Sequence, residues 1–226
     1  MKKLAVGGLL ALAACSQSPK TVPVGFKAQC VDFIPERGAR FSLIGRVGLV
    51  VPEQYDTLLA WMDWSDIGGT PKYRFTNSKG CLIQESGFFK REDGYCKDSI
   101  DRMTIETGQS FGLGLDTLNL ERIPRSEREY YQTRHQRNPV WKAPAWRSRS
   151  REKINGRTFV IKEFYGSSNF IEEPYEQLIA ITEFKQGPSL WYARLRFECK
   201  QKDCRNFAKS AYTVLNSVRI DTVASK

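Results

Sequence analysis

The string G-Q-S-F-G, from Gly108 to Gly112, is the first stretch of this chain whose residue types could do covalent chemistry. In a nucleophile elbow such glycines permit a sharp turn that exposes the serine hydroxyl, and an aspartate and a histidine follow in chain order. Here Asp116 and His135 follow Ser110, and His135 is the sole histidine, so it is the sole imidazole that could activate the hydroxyl. Two features count against acyl transfer. The preceding Met103–Thr107, M-T-I-E-T, is too polar for the buried central strand that an elbow requires. The interval between Ser110 and His135 also leaves no room for the strands and helices that return a histidine to its serine. The expectation is a loop around Ser110 and a protein that is not an enzyme.

A different chemistry is written at the start. Lys2 and Lys3 precede an uncharged run from Leu4 to Ala14, which ends Leu12-Ala13-Ala14-Cys15. A basic start followed by a short apolar run has the pattern of a signal peptide. It falls short of the roughly 20 apolar residues that span a bilayer. Leu12-Ala13-Ala14-Cys15 resembles the lipobox of bacterial lipoproteins. That resemblance implies diacylglyceryl transfer to the Cys15 thiol, removal of residues 1–14 and acylation of the new amine. Ser16 stands where an aspartate would resemble an inner-membrane retention signal, so the expected address is the outer membrane, facing the periplasm. Residues 15–29 contain Pro19, Pro23 and Gly25 and read as a lipidated tether.

The other cysteines are Cys30, Cys81, Cys96, Cys199 and Cys204, an odd number that cannot all pair within one molecule. Closing short loops has the smallest entropic cost, so Cys81–Cys96 and Cys199–Cys204 are the expected disulfides, with Cys30 left over. Zinc is the competing reading, and it lacks both a C-x-x-C pair and a nearby histidine. No metal is expected. No P-loop, dinucleotide fingerprint or calcium loop occurs either, so no cofactor is expected.

Charge is concentrated in one place. Without the first 14 residues the chain carries 33 basic and 25 acidic side chains, and residues 121–157 alone hold 11 of the former against 4 of the latter. Ser126 to Glu129, S-E-R-E, is a capping-box pattern that predicts a surface helix over about 126–137, ended by Pro139. After it, Trp141 and Trp146 stand among Lys142, Arg147, Arg149 and Arg151. Arginine makes planar contacts with carboxylate and phosphate, and tryptophan supplies desolvated anchor area. Two readings remain open: a solvated loop whose tryptophans cover the core edge, or a recognition arm. The arm would use Arg134, Arg137, Trp141, Lys142, Trp146, Arg147, Arg149 and Arg151 against an acidic protein. An envelope address argues against nucleic acid, whereas anionic lipid headgroups compete.

The positioning elements are clearest near the end. Trp191, Ala193, Leu195, Phe197 and Cys199 alternate with Tyr192, Arg194, Arg196 and Glu198, a half-buried strand. It pairs with the preceding "QLIAITEFKQ" across Gly187-Pro188, and a second hairpin turns at Asn155-Gly156. Phe207, Ala211, Val214, Leu215 and Val218 recur at helical spacing, with Asp203 as the expected N-cap. In the first half, "ARFSLIGRVGLVVP" reads as a strand limited by Pro52. "EQYDTLLAWM" has helical spacing although its tail could be extended. "KYRFTNSKGCLIQ" reads as a hairpin and "DRMTIETG" as a short strand. The expected fold class is α+β, an antiparallel sheet packed by helices, forming one domain over 30–226 with the basic segment 121–157 inserted.

Two hairpins, the second ending "WYARLRF", and a terminal helix ending "VLNSVRI" resemble PsbP-type α/β/α sandwich domains. The pattern is also similar to the lipoprotein immunity proteins that neutralise phospholipases delivered by type VI secretion. That likeness implies an immunity-type inhibitor that occludes an acidic secreted toxin, such as a lipase. The alternatives are an accessory structural lipoprotein of an envelope assembly and a serine esterase using Ser110. The sequence sets no oligomeric state.

Overall fold

The computed structural model describes residues 19, 21–37, 40–65, 68–77, 100–120, 145–166, 175–200, 204 and 206–222. In chain order the strands are β1 (Phe26–Phe33), β2 (Glu36–Arg37), β3 (Arg40–Phe41), β4 (Gly45–Pro52), β5 (Thr57–Ser65) and β6 (Gly68–Thr76). There follow β7 (Ile100–Gln109), β8 (Ala145–Ile154), β9 (Arg157–Gly166), β10 (Tyr175–Gln186) and β11 (Ser189–Lys200). One helix, α1 (Phe207–Ser217), precedes the last strand, β12 (Arg219–Thr222). Among the described residues the fold is therefore mostly antiparallel sheet with a single helix.

The large sheet runs β3-β2-β6-β7-β11-β10-β9-β8, with β5 added against β6. Two of its hairpins turn where the sequence places them. The hairpin read in "KYRFTNSKGCLIQ" falls mostly outside the described residues, and the β5–β6 pairing was not expected. Gln186 opposes Ser189 around Gly187, which has φ +56°. Asn155 and Gly156 both adopt positive φ, 48° and 81°, as a two-residue turn between twisted strands requires. A small sheet, β1-β4-β12, lies over one face of the large one. The core fills the space between them, with Val47, Leu49 and Val51 of β4 meeting Met103, Ile105, Leu178, Leu195 and Phe197. Phe33 stacks on Phe184 at 6.2 Å between ring centres.

Helix α1 buries Ala211, Val214 and Leu215 and packs against β4 and β10. Its end is tied to β4, because the Val50 amide donates to Ser217 Oγ at 2.8 Å. The helix starts after Asn206 with no side-chain cap, not from Asp203. Cys199 and Cys204 form the expected disulfide, so the covalent link to the end of β11 sets the helix start. Cys30, left over by local pairing, is itself disulfide-bonded, and its partner lies outside the described residues. Cys15, Cys81 and Cys96 also lie outside them.

One open reading is resolved and another is corrected. The helical spacing of Tyr55, Leu58, Leu59 and Met62 does not give a helix, because Thr57–Ser65 pairs along its whole length with β6. That tertiary ladder overrides a weak local preference. Nor does polarity keep "MTIET" out of the sheet's interior: β7 lies between β6 and β11 with Arg102, Thr104 and Glu106 all buried. Its polar side chains find ionic partners on the neighbouring strands.

Candidate partner-binding surface

Of the predicted arm, Arg134, Arg137, Trp141 and Lys142 lie outside the described residues, as do His135 and the capping-box segment. Its second half is no irregular arm. From Ala145 it forms β8, the last strand on the sheet path among the described residues. Trp146 packs on Phe164 at 5.3 Å between ring centres, and the Arg149 guanidinium lies 5.8 Å from the Trp146 ring. The register shifts between Trp146 and Ser148, which leaves Arg147 without a directly opposed residue on β9. Arg147 donates to both carboxylate oxygens of Glu176, at 3.0 and 2.5 Å, and sits 6.0 Å from the Tyr165 ring. The hydrogen bond to Glu176, then the charge of that carboxylate, pushes the guanidinium pKa up. The Arg147 side chain is still 56% exposed, and exposed Tyr165 lies beside it.

Arg149 and Arg151 do something the sequence did not suggest. Arg149 donates to the Leu120 carbonyl at 3.0 Å, while Arg151 donates to the carbonyls of Leu115, at 2.7 Å, and Leu118. Both arginines clamp the segment that follows the G-Q-S-F-G string. Two motifs separate in sequence are thus one structural unit.

That unit also explains the string itself. Ser110 ends β7, with its amide bonded to the Leu190 carbonyl at 2.8 Å. Its hydroxyl donates to Glu183 Oε1 and accepts from the Gly112 amide, and the Leu113 amide donates to the same Glu183 oxygen at 2.8 Å. A side chain at Gly108 would lie 2.6 Å from the Tyr192 hydroxyl, and Gly112 has φ +88°. Close packing and a left-handed turn account for both glycines. Asp116 accepts from Thr158 Oγ1 at 2.6 Å. Ser110 therefore faces a carboxylate, and Asp116 is engaged by a threonine.

The face of the large sheet turned away from the small one carries a lattice of charge. Lys72, Glu106 and Arg194 stand in register across β6, β7 and β11, and Lys72 also reaches Asp63. Burial, with the nearby charge of Arg196, lowers the Arg194 pKa to about 10. Two rows along, past Thr104 and Arg196, Arg102 Nε lies 2.6 Å from Glu198 Oε2, and Tyr175 donates to Glu198 Oε1 at 2.9 Å. Burial would push the Glu198 pKa up. The charges of Arg102, Arg196 and Arg74 win, holding it well below the usual carboxylate range.

A cavity of about 310 Å3 opens between the start of α1 and the ends of the strands, lined by Tyr55, Asp101, Cys199 and Phe207 among others. Tyr55 donates to Asp101 at 2.5 Å, and burial, then the Asp101 charge, raises its pKa well above normal. Among the described residues there is no group of three or more His, Cys, Asp or Glu able to hold a metal, and no helix long and apolar enough to cross a membrane.

No family model and no curated protein matches the chain. Solved structures do. The cyanobacterial PsbP, CyanoP, of Synechocystis sp. PCC 6803 matches with a TM-score of 0.43 at 11% identity, over 92% of this chain and 98% of that one. LpqN, involved in cell envelope biogenesis of Mycobacterium tuberculosis, matches with a TM-score of 0.38 at 10% identity, over 86% of this chain and 91% of that one. A Bacteroides thetaiotaomicron VPI-5482 protein matches with a TM-score of 0.34 at 10% identity, over 86% of this chain and 50% of that one.

A signal for β8 was present but written in charge. In R-S-R-S-R-E-K, Arg147 to Lys153, long cations alternate with short or acidic residues at the period of a strand. The carboxylate that holds Ser110, Glu183, carried no local signal at all.

Proposed function

We propose that this chain is a lipid-anchored, periplasm-facing binding protein of the outer membrane, held through Cys15, that works by contact and not by catalysis. Its most concrete form is an immunity-type inhibitor that occludes an acidic secreted toxin, a lipase delivered by type VI secretion being the leading case. The observation that carries this reading is the placement of charge: residues 121–157 hold 11 basic side chains against 4 acidic ones. The solvent-facing Arg147 of that segment and the neighbouring Tyr165 of β9 put a cation and an aromatic side by side, residue types enriched at binding hot spots. Trp141 and Lys142 continue the same segment in sequence.

The test is a pull-down of the product of the adjoining open reading frame with the lipidated protein, followed by an affinity measurement. Removing the charges at Lys142 and Arg147 should weaken binding by about tenfold or more, with a steep salt dependence. Affinity indifferent to both changes, or no complex, would overturn the reading.

A further inference from the structure

At one end of the large sheet, apolar side chains stand in water beside unneutralised cations. Phe111 is 91% exposed, Leu113 44%, Trp64 47% and Phe41 60%. The pairings place them together: Glu36 opposes both Phe41 and Gly69, Gly69 opposes Trp64, and Gln109 beside Phe111 opposes Trp191. The β8–β9 and β10–β11 turns lie at this end too, with Lys153 and Lys185 exposed next to them. Neither lysine forms an ion pair among the described residues, and Arg151 there binds only carbonyls. Three nearby acids are engaged, Glu183 by Ser110 and the Leu113 amide, Asp116 by Thr158 and Glu152 by Ser150. Glu36, between Phe41 and Gly69, keeps one buried carboxylate oxygen without a hydrogen bond among the described residues.

Phe111 is not on a slack loop. Glu183 holds the chain on either side of it, and Arg151 and Arg149 clamp the residues that follow. A rigid apolar tip ringed by cations suits a surface that is greasy below and anionic above. We propose that this rim docks onto an anionic phospholipid bilayer, Phe111 and Leu113 entering the interface while Lys153, Lys185 and Arg151 face the headgroup phosphates. The inference rests on the lipid-anchored reading, because the tether lets a weak surface suffice: it makes docking intramolecular. A tether of residues 15–25 can span at most roughly 35 Å. Strand β1 leads from the tether toward the rim over about 26 Å, so the rim can return to the membrane.

The test uses the processed, lipidated protein on vesicles of phosphatidylcholine alone or mixed with phosphatidylglycerol. Five cysteines besides the lipidated Cys15 cannot all pair, so a spin label at Leu113→Cys is read against the parent protein labelled in the same way, and the difference reports on the rim. Flotation reads the anchor; shielding of the label from a water-soluble nickel complex reads docking. Shielding on the anionic vesicles and not on the neutral ones is expected. The ratio of shielded to exposed label should fall about fivefold for each of Lys153→Gln and Lys185→Gln. It should fall about tenfold or more for Phe111→Ser, an exposed position whose change leaves the fold intact.

Flotation with equal exposure of the label on both vesicles overturns the docking while leaving the anchor standing. Failure to float overturns the anchor, and a label then shielded on anionic vesicles alone still supports the rim. A label exposed on both vesicles but immobilised by the adjoining gene's product assigns the rim to a protein and overturns the inference.

Discussion

Arg102 and Glu198 face one another across the β7–β11 pair, 2.6 Å from nitrogen to oxygen, with side chains 1% and 0% exposed. A buried ion pair is costly to form and costlier to break, since removing one partner strands the other charge in a low-dielectric interior. Glu198→Gln or Arg102→Met should destabilise the fold by about 3–5 kcal/mol, measured by chemical denaturation. Replacing both with apolar residues should recover most of that loss, and a double variant no better than the singles would show that the pair is not a unit.

The same carboxylate sets an acid dependence. The Glu198 pKa is lowered in the fold from its ordinary value of 4.5, so its contribution is present in full above that value. It is lost as pH falls below 4.5 and on through the folded pKa, because the unfolded chain then binds the proton first. Stability measured from neutral pH downward should drop over this range in the parent and drop less in Glu198→Gln. Parallel curves would refute the assignment.

Ser110 is expected to act on shape and not on substrate. Ser110→Ala removes the hydroxyl between Glu183 and the Gly112 amide, and should lower stability by about 1–2 kcal/mol. Hydrolysis of short acyl esters by the parent protein should match the uncatalysed background, and turnover abolished by Ser110→Ala would restore the esterase reading.

The disulfide joining β11 to the start of α1 closes a short loop, Cys199 to Cys204. Replacing both cysteines by serine should cost about 2 kcal/mol in the loop-entropy description. Thermal unfolding of the double variant checks this without touching the bond made by Cys30.

The sequence alone determined the parts whose signals are local. Alternation in Trp191–Cys199 and turn chemistry at Asn155-Gly156 and Gly187-Pro188 gave two hairpins, and 3.6-residue spacing gave α1. The crowding of charge in 121–157 was equally legible, because composition needs no partner to be read. Tertiary structure decided the rest. β7 is buried despite its polarity because Arg102 and Glu106 meet Glu198, Arg194 and Lys72 from other strands. Residues 57–65 are extended because β6 offers a full ladder. Above all, the G-Q-S-F-G string and the arginines of β8 became one clamped loop, since Glu183 and the carbonyls of Leu115, Leu118 and Leu120 were brought within hydrogen-bonding reach. Which polar group satisfies which across so many residues is set by the register of the sheet, and no local run of sequence records it.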